Sequence, residues 1–127
     1  MMRLLLDTHA ALWALFDPAR LSTAANEAMA ESANNIWVSV ASAWEIAIKQ
    51  GSGKLVLPAP LIEGMNGSNF SFLDITPGHC AAYADLPFDK KHRDPFDRVL
   101  AVQARMEDCR LVSKNAKLDR YGVSRLW

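Results

Sequence analysis

A short apolar segment near the start of the chain ends at an acidic residue, and this feature constrains the fold more than any other. Residues 4–6 are all leucine, and Asp7 follows them directly. An uninterrupted apolar segment, without alternating polar residues, is typical of a strand buried on both faces, as in a parallel sheet. We therefore predict that residues 4–6 form such a strand and that Asp7 lies at its carboxyl end.

Short apolar segments alternate with helical segments along the rest of the chain. We predict further strands over residues 36–38, 72–75, 111–112 and 123–126. We predict helices over residues 22–33, 39–50, 77–86 and 94–107, and a shorter helix that ends near residue 65. Strands that alternate with helices favour an α/β fold, in which right-handed crossovers join the strands of a parallel sheet. The sequence thus predicts a central, mostly parallel sheet of four to five strands flanked by helices.

The length and composition fit a single domain that spans residues 1–127. Half of the residues are hydrophobic and 22% are charged, which suffices for one core without disulfides. The two cysteines, Cys80 and Cys109, belong to no zinc-binding motif, as suits a reducing cytosol. Asp7 interrupts the first apolar segment, which argues against a signal peptide. The next apolar segment, residues 10–16, is shorter than the roughly 20 residues of a membrane span. We therefore expect a cytoplasmic protein that does not enter a membrane.

The charges balance over the whole chain but are unevenly distributed. Lys plus Arg and Asp plus Glu each number 14, which excludes a polycation that coats nucleic acid. Residues 86–127, however, contain ten basic and six acidic side chains. Any nucleic-acid site must therefore be a local patch, and the basic excess favours a position in the last third of the chain.

Three acidic residues are predicted to meet at one edge of the sheet. Asp7 follows the first strand, Glu45 lies early in the helix after the second strand, and Asp97 lies in the first turn of the last long helix. Trp44 and Ile48 mark the apolar stripe of the helix that carries Glu45. Like charges brought together repel one another unless a divalent cation joins them. Oxygen ligands without a Cys or His cluster favour Mg²⁺ or Mn²⁺.

Each acid taken alone also has an ordinary structural interpretation. Glu45 and Lys49 are four residues apart and could form a surface ion pair. Asp94 is a suitable N-cap for the helix that begins at Pro95, and Asp97 would be favoured by the dipole of the same helix. The argument for a metal site therefore rests on the set of acids and not on any single one.

Four segments of the chain, in their order and spacing, resemble PIN-domain proteins of the VapC type, the toxin half of bacterial toxin–antitoxin pairs. These segments are residues 4–10 (LLLDTHA), residues 39–49 (SVASAWEIAIK), residues 92–98 (HRDPFDR), and residues 111–113 (LVS) through 121–123 (YGV). Together they extend over nearly the whole chain, so the resemblance concerns the entire domain.

The resemblance implies a PIN-like domain with the activity of a metal-dependent endoribonuclease. Asp7, Glu45 and Asp97 would organise the metal, and Asp94 would be an additional acid of the site. The implied cofactor is Mg²⁺ or Mn²⁺, and the implied substrate is RNA. The implied partners are a cognate antitoxin protein and a second copy of the chain, because relatives of this type are usually dimers.

One position departs from the pattern of the family. Relatives usually have an Asp two residues after the Ser or Thr that ends the fourth strand, where this chain has Asn115. An amide oxygen can still bind a metal or a water, but it brings no charge. Asp119 would replace the missing acid if its segment is helical; otherwise it is a surface residue near Arg120.

Neutral and basic side chains complete the predicted site. Thr8, Ser39 and Ser42 are candidate hydrogen-bond donors around the acids, or alternatively simple caps. Basic residues near the acids would hold RNA phosphates, or alternatively belong to a solvated surface. These basic residues are Arg93, Arg98 and Lys114, with Lys90 and Lys91 beside them. The histidines His9, His79 and His92 form no recognisable catalytic or metal-binding spacing.

The sequence leaves two alternative functions to consider, a phosphatase and a binding module. A phosphatase that uses Asp7 as its nucleophile generally needs a second Asp two positions later, where this chain has His9. That difference argues against a phosphatase. A PIN-like module that binds RNA or an antitoxin, with catalysis weakened by Asn115, is the alternative to the nuclease.

Overall fold

The computed structural model of the protein describes residues 1–88, 90–91 and 93–127. In this part of the chain the strands are β1 (Arg3–Leu6), β2 (Asn35–Ser39), β3 (Phe70–Leu73), β4 (Arg110–Val112) and β5 (Arg125–Leu126). The helices are α1 (Thr8–Phe16), α2 (Thr23–Ala30), α3 (Val40–Gly51), α4 (Leu61–Asn66), α5 (Pro77–Ala84) and α6 (Pro95–Met106). Two 3₁₀ turns cover Pro18–Arg20 and Ala116–Tyr121.

The described strands form one five-stranded sheet in the order β3-β2-β1-β4-β5, and every neighbouring pair is parallel. Because β1 is central, its residues are covered on both faces. Leu4 and Leu6 pack with Ala10 of α1 on one side, whereas Leu5 packs with Leu100 of α6 on the other. All three leucines of β1 are fully buried. The predicted α/β fold with a parallel sheet is therefore confirmed.

The first helix, α1, is absent from the prediction. Asp7 is its N-cap, since its Oδ1 accepts a hydrogen bond from the Ala10 N–H at 2.8 Å. Residues 10–16 are all apolar, and the polar residues of the helix, Thr8 and His9, both lie next to its N-cap. Such a segment lacks the amphipathic period by which a helix is recognised in a sequence.

Other boundaries shift by a few residues, for local reasons. The helix predicted over residues 22–33 begins as expected after the N-cap Ser22 but ends at Ala30. The buried side chain of Asn34 donates to the carbonyl of Ala28 at 2.8 Å, which satisfies the end of the helix and turns the chain into β2. The fifth strand, predicted over residues 123–126, is shorter: the 3₁₀ turn ends at Tyr121, Gly122 follows with a φ of 74°, and β5 begins at Arg125.

The sequence predicts that no segment is long enough to span a membrane. Among the described residues, no helix is long and apolar enough to cross a membrane.

Candidate active site

The carboxyl ends of three adjacent strands meet at one edge of the sheet. Asp7 follows β1, Ser39 ends β2, and Ser113 follows β4. The backbone N–H of Asp7 donates to the carbonyl of Val112 at 3.0 Å, which fixes the end of β1 against β4. In open parallel sheets, ligands bind outside this edge. The sheet thus delivers Asp7 and its neighbours to the position where a ligand is expected.

Asp7 is a buried carboxylate, with 7% of its surface exposed. Its burial raises its pKa, and the nearby charge of Glu45 raises the pKa further. Hydrogen bonds from the Ser113 hydroxyl and the Ala10 N–H, together with the charge of His9, oppose this increase but do not cancel it. The folded protein therefore holds Asp7 in an environment that disfavours its negative charge.

Glu45 of α3 is the second buried carboxylate of this edge, with 9% of its surface exposed. The hydroxyl of Thr8 donates to its Oε1 at 2.5 Å, and Lys49 Nζ lies 3.3 Å from its Oε2. Thr8 Oγ1 also forms a hydrogen bond of 3.0 Å with the hydroxyl of Ser42. The ion pair with Lys49 exists as its spacing suggests, but Glu45 points inward and is held from α1 as well.

The apolar stripe predicted for α3 is wrong in one respect. Trp44 and Ile48 are 61% and 50% exposed, so they do not face the core. The buried face of α3 carries Glu45 and Ile46 instead. The ring of Trp44 packs edge-to-face on Phe96 of α6, with 5.4 Å between ring centroids. This contact joins α3 to the beginning of α6.

The two acids of α6 have separate positions. Asp94 is exposed and caps the helix, since its Oδ1 accepts hydrogen bonds from the N–H groups of Phe96 (2.9 Å) and Asp97 (3.3 Å). Asp97 lies half-buried in the first turn. Within residues 1–88, 90–91 and 93–127, no three Asp, Glu, His or Cys side chains are grouped closely enough to hold a metal ion. Asp7 and Glu45 lie close enough to interact electrostatically, whereas among the described residues Asp97 forms no three-acid cluster with them.

The predicted neutral residues divide into two groups. Thr8 and Ser42 lie in the hydrogen-bonded group around Glu45. Ser39 is fully buried but accepts a hydrogen bond from the Ala41 N–H at 3.0 Å, so it caps α3. Ser113, which bonds to Asp7, is absent from the prediction. Its position directly after a buried strand, like that of Asp7 after β1, is the signal that could have identified it.

Arg98 is a correction to the predicted phosphate contacts. Only 8% of its surface is exposed, and its Nη1 donates to the carbonyl of Pro87 at 2.9 Å and to the Tyr121 hydroxyl at 3.3 Å. Its guanidinium also lies over the rings of Tyr83 and Tyr121, 5.3 and 5.6 Å from their centroids. These partners surround the guanidinium and leave little of it exposed to a phosphate.

The other predicted cations are at the surface. Lys114 is exposed and, together with Asp7 and Asn115, lines a pocket of about 390 Å³. Arg93 is exposed, with its guanidinium 6.0 Å from the ring centroid of Phe88. His92, the residue before Arg93, lies outside the described residues.

The position of the missing acid is now defined. Asn115 shares the pocket of Asp7, and its side-chain oxygen accepts a hydrogen bond from the Lys117 N–H at 3.1 Å at the start of the 3₁₀ turn. Asp119 lies in that turn but is exposed and paired with Arg125 at 2.9 Å. Asp119 is thus a surface residue paired with Arg125. This agrees with its interpretation as a surface residue and not with its interpretation as a replacement acid of the site.

Comparison with known proteins agrees with this architecture. The sequence matches the PIN domain over residues 4–123. It is 32% identical to Ribonuclease VapC22 of Mycobacterium tuberculosis over 120 aligned residues. The alignment covers 93% of this chain and 91% of that protein.

Solved structures share the fold at lower identity. One is VapBC2 from Rickettsia felis bound to a DNA fragment from its promoter, with a TM-score of 0.69, 19% identity, and coverage of 94% of this chain and 93% of that one. Another is DNA-bound VapBC from Salmonella typhimurium, with a TM-score of 0.66, 17% identity, and coverage of 94% and 92%. The match over residues 4–123 confirms what the sequence motifs implied, and the chain belongs to the PIN-domain family.

Proposed function

We propose that this protein is an endoribonuclease that depends on Mg²⁺ or Mn²⁺ and acts as the toxin of a toxin–antitoxin pair. Membership of the PIN-domain family and 32% identity to a protein named a ribonuclease support the reaction class. The observation that carries the proposal is the burial of two neighbouring carboxylates, Asp7 and Glu45, at the ligand-binding edge of a parallel sheet.

The donor set fits a hard divalent cation. Both buried carboxylates offer oxygen ligands, and the repulsion between them would be relieved by a positive ion. Mg²⁺ is usually bound through one or two carboxylates and retains several waters. Asp7 and Glu45 would therefore hold the ion, and Asp97 is proposed as a third acid that approaches from α6. A bound cation would supply positive charge to the oxygens of a phosphodiester and lower the pKa of a water.

The residues around the acids would keep them in position. The Thr8 hydroxyl fixes one oxygen of Glu45, while Ser113 and the Ala10 N–H hold Asp7. Such outer partners orient ligating carboxylates, and their loss typically lowers metal affinity or activity. Lys114 and Arg93 would attract the RNA backbone. Asp94 is proposed as an additional acid, at the same time as it caps α6.

The partners are proposed on separate grounds. Two solved structures of the same fold are named as VapBC assemblies, which supports a cognate antitoxin for this chain. Exposed apolar side chains on α3, Trp44 and Ile48, support association of two copies as a homodimer.

An alternative has specific support in the structure. Asn115 brings no charge to the pocket of Asp7, and its side-chain oxygen already bonds to the Lys117 N–H. A PIN-like module that binds RNA or an antitoxin, with weak or no catalysis, would fit such a site.

A cleavage assay distinguishes the two functions. Purified protein, free of any partner, is incubated with single-stranded RNA in Mg²⁺, in Mn²⁺ or in excess EDTA, and the Asp7→Asn variant from the same purification controls for contaminating nucleases. We expect cleavage by the parent protein with either metal, and none in EDTA or with the variant. Equal cleavage by the parent and the variant, or cleavage that persists in EDTA, would contradict the proposal. Binding without cleavage would favour the module.

A further inference from the structure

A column of aromatic rings stands beside the pocket of Asp7. His9 and Trp13 are four residues apart on α1, so they lie on one face of the helix. Their rings are stacked, with 5.6 Å between centroids and 27° between planes. The ring of Trp13 also lies 5.8 Å from that of Trp127. His9 is exposed, whereas the two tryptophans are half-buried, so His9 is the outer end of this ring column of His9, Trp13 and Trp127.

A cation is held against the same column. Arg20, in the 3₁₀ turn that follows α1, is exposed, and its guanidinium carbon lies 4.9 Å from the ring centroid of Trp13. A guanidinium over an indole is attracted to the face of the ring. Arg20 is therefore oriented by Trp13 while its charge stays open to solvent.

Two pockets meet at these side chains. His9, Trp13 and Arg20 line the pocket of about 390 Å³ that contains Asp7 and Lys114. The same three residues line a neighbouring pocket of about 430 Å³ that contains Lys49 and Lys54. Basic side chains are thus found on both sides of the ring column. A polyanion that followed this path would pass Asp7, which lines the first pocket, and Asp17, which lines the second.

We propose that the ring column and Arg20 form a subsite for one unpaired nucleotide of an RNA strand. The nucleobase would stack on His9 at the exposed end of the column, and a phosphate would bind Arg20. Aromatic rings next to cations are the combination by which proteins hold single strands, because every base offers a π-face and every nucleotide a charge. A base in a duplex is already stacked between its neighbours, so the subsite selects single-stranded RNA.

The inference deepens the proposed nuclease function and rests on it for the identity of the ligand. Because Asp7 lines the same pocket as His9 and Trp13, the bound nucleotide would lie next to the Asp7 carboxylate. The subsite would then position the phosphodiester beside the proposed metal ligands. The spacing of His9 and Trp13 pairs them only once α1 is known to be a helix, and the contact of Arg20 with Trp13 is visible only in the structure.

The test measures binding separately from cleavage. A fluorescein-labelled single-stranded RNA of about ten nucleotides is titrated in EDTA, and its anisotropy is recorded at several salt concentrations. The parent protein is compared with His9→Ala, His9→Phe and Arg20→Ala. Arg105→Ala is the matched control, since Arg105 is an exposed arginine of α6 that lines a different pocket.

The two parts of the subsite have different expected signatures. At about pH 8, where imidazole is neutral, His9→Ala should raise Kd by about 5-fold or more without changing the salt dependence, because it then removes only a stacking surface. His9→Phe should keep the parent affinity, since it keeps a ring. Arg20→Ala should raise Kd and reduce the slope of log K against log salt by about 0.7, as expected for one lost phosphate contact on a single strand. Arg105→Ala should change neither value.

Unchanged Kd and salt slope in both His9→Ala and Arg20→Ala would overturn the subsite. So would a parent protein that binds no RNA, a result that would point to a protein segment as the occupant of this surface. Binding with the expected signatures but without metal-dependent cleavage would support the subsite and contradict the nuclease. The two proposals can therefore fail independently.

Discussion

Two buried polar regions of this molecule differ in the groups that surround their titratable side chains. At the edge of the sheet, the carboxylates of Asp7 and Glu45 are buried near each other, and the pKa of Asp7 is raised by burial and then by Glu45. Between α5 and α6, His79 is fully buried, yet both of its ring nitrogens have partners. Nδ1 accepts the Thr76 N–H at 3.0 Å, and Nε2 lies 3.1 Å from Glu107 Oε1.

This difference distinguishes buried polar side chains that stabilise the fold from those that belong to a functional site. An acceptor Nδ1 carries no proton, so the proton of a neutral His79 is on Nε2, where it is donated to Glu107. His79 thereby completes the capping box of α5 and links it to α6. At the sheet edge, by contrast, a second buried carboxylate lies near Asp7, although Lys49 pairs with Glu45. Buried polar groups with satisfied partners stabilise a fold, whereas buried like charges indicate a site that requires a ligand.

The largest expected effect is on cleavage. Glu45→Gln keeps the size of the side chain but removes its charge, so we expect the rate of RNA cleavage at saturating Mg²⁺ to fall by about 100-fold, the scale of losing one preorganised electrostatic group. Initial rates, normalised to the folded fraction, measure the change. A rate within a factor of about 3 of the parent would remove Glu45 from the proposed machinery.

The other region supplies the control. His79→Ala should lower the free energy of unfolding by about 2 kcal/mol, because it leaves buried partners unsatisfied. Its cleavage rate per folded molecule should equal that of the parent. A His79 variant that loses cleavage while it stays folded would break the distinction between the two regions.

A smaller effect is expected from the hydroxyl that orients Glu45. Thr8→Val removes the 2.5 Å hydrogen bond to Glu45 but preserves the shape of the side chain. We expect cleavage to fall by about 10-fold, in the range found for outer partners of metal ligands. Ser39→Ala is the matched control, a buried hydroxyl that caps α3. It should cost about 1 kcal/mol of stability and leave cleavage unchanged.

The smallest effect concerns stability without metal. Because burial raises the pKa of Asp7 in the folded state, its contribution to stability is complete below its unfolded pKa of about 3.9. That contribution is lost as the pH rises through the folded pKa. Asp7→Asn cannot ionise, and Asn is also a good N-cap. In EDTA its Tm should therefore exceed that of the parent by a few degrees at neutral pH.

The pH dependence provides the internal check. Melting curves of both proteins in EDTA, from about pH 4 to pH 8, should show a Tm difference that is small in acid and increases with pH. A constant difference across this range would mean that the ionisation of Asp7 is not its cause.

Local sequence patterns were sufficient for much of the fold and for part of the site. The uninterrupted leucines of residues 4–6 are typical of a strand covered on both faces, and Asp94 before Pro95 marks the start of α6. The positions of Asp7 and Glu45 follow from the same reasoning, because each is defined by its distance from a strand end. Such features depend on a few neighbouring residues, which the sequence displays directly.

The remainder depends on contacts between distant segments. The sequence predicts Arg98 as a phosphate contact because it lies near the proposed acids, but Tyr83 and Tyr121 enclose it from two other elements. Helix α1 was not predicted because its apolar residues show no single face. The contact of Ser113 with Asp7 depends on the pairing of β4 with β1. No local pattern indicates which strands are neighbours in a sheet.

The central claim is that Asp7 and Glu45 together hold a divalent cation, and calorimetric titration with Mn²⁺ in the absence of RNA tests it most directly. The parent protein and His79→Ala should bind Mn²⁺ with the same affinity. Asp7→Asn and Glu45→Gln should each bind at least about 10-fold more weakly, because each removes a charged ligand. If all four proteins bind Mn²⁺ equally, or if the parent binds none, the buried acids are not a metal site.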